Sequence, residues 1–453
     1  MKFVSTRGTG EPVGFFEAFA NGLAPDGGLY VPEYTPLLPS DLLIDEALPY
    51  PALAWDFLTL FDSDHDAEDL ISLVDKSYGD FSDTMSAPLT QLSANLYVLE
   101  LFHGPTLAFK DFGLQLVGNL FEEQIKRTGE TINVLGATSG DTGSAAIHGL
   151  AGREGVNVFI LYPKGRISKL QERQMTCTGA KNIFPIPIEG TFDDAQRIVK
   201  ELMGDLDLKE KLRLSAVNSI NIARILAQSI YYVHAFMQLA PDDRHNVNFV
   251  VPTGNFGNVF AGWLAYKMGL PVDRFVVATN QNDILYRLFT TGEYSESEDV
   301  SPSFAPSMDI QVASNFERFL YFHSDQDGDK TTELMAKIKT EGSLEIPNFD
   351  PDIFTATRSD DAEILANISR VKEEFDYTVD PHTACGFQDI DPNQTTIVLA
   401  TAHPAKFPEV IKKATGEAVT EDSLEALKKK RQKRHNLKAT PAAIQAFIEK
   451  NSA

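Results

Sequence analysis

From about residue 90 onward the chain alternates between short, almost wholly apolar runs and longer stretches whose apolar residues follow a helical pattern. INVLGA (132–137) is followed by SAAIHGLAGREG, VNVFILYP (156–163) by SKLQERQMTC, and NVNFVVP (246–252) by VFAGWLAYKMG. A short run that is apolar on both faces suits a buried strand, and the helical pattern after it supplies the cover. The alternation therefore predicts a parallel, helix-covered sheet. RFVVATN (274–280) and TTIVLAT (395–401) extend it, so the sheet is assembled from distant parts of the chain. The acidic stretches GEYSESEDVSPS and HSDQDGDKTT read as loops or surface helix ends. Residues 1 to about 90 have another texture, rich in Pro, Gly and acidic residues with scattered apolar stretches such as 57–61, and read as a separate N-terminal unit.

Length and composition narrow the class. At 453 residues two or three packed domains are expected, and 43% hydrophobic with 23% charged residues is a soluble globular balance. No segment approaches the roughly 18 apolar residues of a membrane span. The N-terminal MKFVSTRGTGEPVGFFEAF has neither a signal-peptide apolar run nor a transit-peptide arginine bias, and a cytoplasmic location is expected. Only Cys177 and Cys385 are present, far apart, which supports neither a disulfide framework nor a thiolate metal site. No HExxH spacing occurs among the nine histidines, so no metal is expected. A net charge of -24 opposes nucleic acid and anionic lipid, and the run KKKRQKRH (428–435) reads as a solvated helix face. The same charge means that an anionic substrate requires local positive potential in its cleft.

Four segments carry chemistry. LFHGPTLAFKDFG (101–113) sets Lys110 among apolar neighbours, where desolvation favours the neutral amine needed for imine formation; alone, it also fits an ordinary surface lysine. VLGATSGDTGSAAIHG (134–149) runs strand, glycine loop, helix start, with Thr138, Ser139 and Thr142 as hydroxyl donors, an arrangement suited to a carboxylate or to a plain capped turn. NFVVPTGNFGNVFAGW (248–263) repeats that logic with Gly254, Asn255, Phe256, Gly257 and Asn258, whose N–H groups can cradle a phosphate. IVLATAHPAKF (397–407) ends a strand at Thr401, where ligands of open parallel sheets bind.

Together these segments resemble the fold-type II pyridoxal-phosphate enzymes, and HGPTLAFKDFG, PTGNFGN and TAHPAKF are similar to the bacterial and fungal threonine synthases. The opening STRG and GLAPDGGLYVP also resemble that family's N-terminal domain, so the likeness spans nearly the whole chain. It implies an α/β fold with parallel, helix-covered sheets in two domains plus an N-terminal domain. On this sequence the division is an N-terminal domain at 1–92, a large cofactor-binding domain at 93–125 and 215–453, and a smaller nested α/β domain at 126–214.

The resemblance further implies pyridoxal 5'-phosphate held by Lys110 as a Schiff base, its phosphate on Gly254, Asn255, Phe256, Gly257 and Asn258, and its pyridine nitrogen facing Thr401. The implied activity is a carbon–oxygen lyase that converts O-phospho-L-homoserine and water to L-threonine and phosphate by β,γ-elimination and β-addition, with Lys110 as the catalytic base. Substrate contacts are expected from Thr138, Ser139, Asp141 and Thr142 for the carboxylate side, and from Arg224, Lys164, Arg166, Ser219 and Asn221 for the phosphate. Asp141 stands where many relatives have asparagine. A monomer acting on a small molecule, without nucleic acid or membrane, is expected. The competing readings are another fold-type II enzyme, such as a serine or threonine dehydratase, and a non-catalytic binder of a phosphorylated metabolite.

Overall fold

The computed structural model describes residues 1–452 apart from 41, 44–47, 139, 217–218, 296–299 and 347–350. The alternation read from the sequence is realised as two sheets, one in each of two compact units, residues 1–109 with 219–419 and residues 110–218 with 420–453. Among the described residues no helix is long and apolar enough to cross a membrane.

In the first unit the strands lie in the order Phe354–Arg358, Val272–Thr279, Val247–Pro252, Thr396–Ala400, Leu96–Glu100 and Leu89–Ser93. The first five are parallel and the last is antiparallel. Every residue of Val247–Pro252 is buried, Asn248 included, as its almost wholly apolar run predicts, and Val250 sits between Val276 and Val398. Val98, Val250, Ala278 and Val398 form one core with Ile364, Ile368 and Val371 of the helix Asp361–Phe375. The aromatic rings of Tyr232, Phe249 and Phe275 form another cluster in this unit.

The N-terminal 90 residues pack into this unit. Tyr50 of the helix Tyr50–Thr59 lies edge-on to His234, its hydroxyl donates to Ala227 O, and Leu38 N–H donates to Met268 O. The buried residues of the segment thus reach helices some 200 positions along the chain.

In the second unit four parallel strands run Ile183–Ile188, Val156–Pro163, Ile132–Ala137 and Leu214–Ala216. The helix Lys110–Thr128 belongs wholly to this unit. The cause is a close crossing on the helix Asp141–Leu150: a Cβ on Gly118 would stand 2.1 Å from Gly149 O, and one on Gly149 would stand 2.4 Å from Leu114 O. Only glycine permits that approach.

The tail from 420 also packs into this unit. Ile444 and Ile448 of the helix Pro441–Asn451 enter the core with Phe159, Leu161, Phe184 and Ile186. KKKRQKRH, expected to be a solvated helix face, is a non-helical strap. Lys433 N–H donates to Thr176 O, its ammonium donates to Ile183 O at 3.2 Å and lies over the Phe184 ring, and His435 N–H donates to Pro185 O. Backbone acceptors along the edge strand Ile183–Ile188, together with an aromatic face, give the basic residues their partners.

Candidate functional site

In the second unit the Gly118–Gly149 crossing brings the starts of two helices together, with Lys110 at the head of one and Asp141 at the head of the other. Lys110 is only 8% exposed, and its Nζ lies 3.7 Å from Asp141 Oδ2. Gln171, whose amide also closes the capping box of the helix Lys169–Thr176, donates to Asp141 Oδ1 at 3.0 Å. Gly140 has a φ of 146°, and a Cβ there would run into the Gln171 amide at 2.6 Å, so the turn that presents Asp141 demands glycine. The acidic side chain expected among the substrate contacts is thereby aimed at the lysine.

The loop before that helix is stiffer than its small residues suggested. Thr138 Oγ1 accepts the N–H groups of Gly140 and Gly143 at 3.0 and 2.8 Å, so those two donors serve the turn and not a ligand. Anion-binding capacity rests on the Thr138 hydroxyl proton and on first-turn N–H groups, Thr142 included, which have no intrahelical acceptor. Ser139 lies outside the described residues. Lys164 is exposed and paired with Glu189 at 2.6 Å, and Arg166 is exposed too.

In the first unit the neighbouring parallel strands Val247–Pro252 and Thr396–Ala400 end side by side. After the first comes the glycine loop and then the helix Gly257–Lys267. Phe256 takes a left-handed φ of 63° and is held there by burial of its ring among Phe289, Phe316 and Phe319. A Cβ on Gly254 would meet Met308 Cα at 3.1 Å, and one on Gly257 would meet Asn315 Nδ2 at the same distance. Asn315 also donates from its backbone and its amide to Asn255 O, at 3.1 and 3.2 Å. Asn258 Oδ1 accepts from Tyr231 and Tyr232, which fixes its orientation and leaves Nδ2 buried with no partner among the described residues.

Thr401 follows the second strand, 5% exposed; its N–H donates to Thr383 Oγ1 at 3.0 Å and its carbonyl accepts Phe109 N–H at 2.9 Å. Ala108 bridges Ala402, so the segment leading to Lys110 is tied to this strand end. The tight Gly254–Gly257 turn, the orphaned amide of Asn258 at a helix start and the buried hydroxyl of Thr401 on the adjacent strand fit the phosphate and ring nitrogen of pyridoxal phosphate.

Of the expected phosphate ligands, Lys164 and Arg166 belong to the second unit and Ser219, Asn221 and Arg224 to the first. Arg224, in the first turn of the helix Ile222–Gln238, is 3% exposed; burial pushes its guanidinium down to about 10, partly offset by Tyr231. Asn221 is that helix's N-cap, accepting Ala223 N–H at 3.0 Å while its amide donates to Phe19 O, so its polar atoms are largely committed to structure. Ser219 Oγ is 2.8 Å from Ser314 Oγ.

A further group lies outside the four segments above, in DPHT (380–383). Asp380 is fully buried and caps the short helix Pro381–Ala384, and its carboxylate also takes the Thr383 hydroxyl and His382 Nδ1. Aspartate followed by proline at a helix start was the available signal.

Three family models match the chain: Threonine synthase N terminus over residues 2–78, Pyridoxal-phosphate dependent enzyme over 83–396, and Threonine synthase, C-terminal over 382–448. The threonine synthase of Pseudomonas aeruginosa is 44% identical over 425 residues, 91% of this chain and 90% of that protein. The crystal structure of threonine synthase with bound pyridoxal phosphate from Brucella melitensis superposes with a TM-score of 0.95 at 41% identity, covering 100% of this chain and 99% of the other. That of the yeast enzyme does so with 0.93 at 37%, covering 99% and 98%.

Proposed function

The chain belongs to the threonine synthase family of pyridoxal-phosphate-dependent enzymes, and from that premise we propose that it converts O-phospho-L-homoserine and water to L-threonine and inorganic phosphate. The observation that carries this reading is the buried Lys110 facing Asp141 where two helix starts converge. Pyridoxal phosphate, when bound, supplies an electron sink for density released at the substrate's Cα and Cβ. The chain supplies attachment, orientation and proton transfer.

Lys110 is the group we assign to hold the cofactor and then, as a free amine, to take the proton from Cα, give it up, and take a proton from Cβ as phosphate departs from Cγ, with protons returned to Cγ and Cα and water adding at Cβ. One amine suffices for successive transfers because the substrate is held beside it. Asp141 accepts the proton-bearing form of Lys110 as its ion-pair partner. The Gly254–Asn258 loop, with Gly254, Asn255, Phe256, Gly257 and Asn258, is assigned the cofactor phosphate, and Thr401 the pyridine nitrogen. Thr138, Ser139 and Thr142 are assigned the substrate carboxylate. Arg224 is preferred over Lys164 and Arg166 for the leaving phosphate, since a buried guanidinium acts in a medium that screens it less. Ser219 and Asn221, shortly before it in sequence, are lesser donors.

Two unbridged, buried cysteines suit a reducing, cytoplasmic setting, where we place the chain as a monomer. The test is incubation of the purified protein with pyridoxal phosphate and phosphohomoserine. Threonine and phosphate are expected in equal amounts, with borohydride fixing the cofactor on Lys110. Deamination of serine or threonine without phosphate release would instead indicate a dehydratase, and absence of borohydride-fixed cofactor a mere binder.

A further inference from the structure

We propose that Asp380 is a positioning residue that fixes both ends of the cofactor cradle at once, the ring-nitrogen end through Thr383 and Thr401 and the phosphate end through His382 and Ser307. The proposal rests on the reading that Thr401 and the Gly254–Asn258 loop hold those two ends.

The directions of the hydrogen bonds are forced. Ser307 N–H can only donate, so His382 Nε2, at 3.1 Å, accepts. The proton of the neutral ring then sits on Nδ1 and goes to Asp380 Oδ1 at 2.8 Å. The N–H of Thr401 likewise can only donate, and Thr383 Oγ1 accepts it at 3.0 Å while sending its own proton to Asp380 Oδ2. Each carboxylate oxygen thus terminates one arm.

Each arm ends on the cradle. Thr401 is reached through its own backbone, at the point where the strand stops and its hydroxyl is presented. On the other arm, Ser307 belongs to the turn Pro306–Met308, whose atoms would stand 3.1 and 3.2 Å from a Cβ on Gly254; the turn is the wall against which the glycine loop folds. The Phe407 ring, centred 5.0 Å from that of His382, holds the imidazole in its plane of action.

Helix capping alone does not require this arrangement. Asp380 accepts the N–H groups of His382 and Thr383 at 2.9 and 3.3 Å, which an asparagine can also cap. An asparagine has one acceptor oxygen, however, and cannot also receive both side-chain protons. Asp380→Asn therefore retains the cap and breaks at least one arm.

The arms are separable by titrating the cofactor-free protein with pyridoxal phosphate and with pyridoxal, which lacks the phosphate. His382→Phe should weaken pyridoxal phosphate about tenfold or more and leave pyridoxal unchanged. Thr383→Val should weaken both ligands by a similar factor, Thr383→Ser should restore both, and Asp380→Asn should show at least one of the two patterns. Parental affinities in His382→Phe and Thr383→Val, equal loss of both ligands in His382→Phe, or a serine variant as weak as the valine one would each overturn the proposal. Gly254→Ala and Thr401→Val serve as references: if neither alters either affinity, the site reading fails and the relay with it, whereas weakened references beside unaltered relay variants reject the relay alone. Should Asp380→Asn not fold, the Thr383 pair and His382→Phe decide.

Discussion

Arg224 occupies an environment its type rarely tolerates, since a guanidinium enclosed by protein loses hydration that polar or charged partners must replace. Burial lowers it only to about 10, so the cation persists through neutral pH. A charged group kept dry in the first turn of a helix is well suited to a phosphate that arrives with the substrate and leaves as product. A charge-assisted contact of this kind contributes about 1.5–3 kcal/mol. We therefore expect Arg224→Ala to raise KM for phosphohomoserine by roughly tenfold to a hundredfold, with Arg224→Lys intermediate because it keeps the charge and loses the fork. Steady-state kinetics check this, and the cofactor absorbance should be unchanged. Unaltered kinetics would remove Arg224 from the substrate site. At this scale Lys110 broke its neighbours' pattern between Phe109 and Phe112, yet those neighbours alone also fitted a surface lysine, and it was the strand-end loops that supplied the ligand it requires. Asp141 was visible but without its partner, because the glycine crossing that aims it at Lys110 joins helices read separately.

At the level of elements, the strands were legible because burial on both faces leaves an almost wholly apolar run, and each of the five runs named above falls on a strand. The partners of helices and tails were not legible in this way. Nothing local to 428–435 announces that its lysine and histidine bond the carbonyls of an edge strand some 250 residues earlier, and periodicity is silent on such returns. The strap and the helix Pro441–Asn451 cover the edge strand Ile183–Ile188, which already carries Pro185 and Pro187 against further pairing. Ile448 is fully buried in that core. Truncating such a side chain costs about 2–5 kcal/mol. Ile448→Ala should lower the thermal midpoint while leaving the affinity for pyridoxal phosphate unaltered, as read by melting and by cofactor titration. A parental midpoint would show that the tail helix adds nothing to the fold.

For the whole molecule, 64 acidic against 40 basic residues make the net charge -24, and self-repulsion of that size is eased by salt. Mild acid would ease it as well, yet the interior works in the other direction. His234 is fully buried in the helix Ile222–Gln238, edge-on to Tyr50, and burial pushes its imidazole down from 6.5 to about 4. An unfolded chain takes up that proton as pH falls through 6.5, while the folded chain resists until about 4. The stability from keeping His234 neutral is therefore complete above 6.5 and is lost progressively as pH falls through the folded value. At 1.36 kcal/mol per unit of pKa difference, the loss between pH 7 and pH 5 is about 2 kcal/mol. His234→Gln removes the titration, so its thermal midpoint should fall less over that interval than the parent's, whatever the substitution costs at pH 7. The comparison is of slopes, from melting curves at fixed ionic strength. Parallel slopes would assign the acid sensitivity to the carboxylates of the surface and not to the buried imidazole.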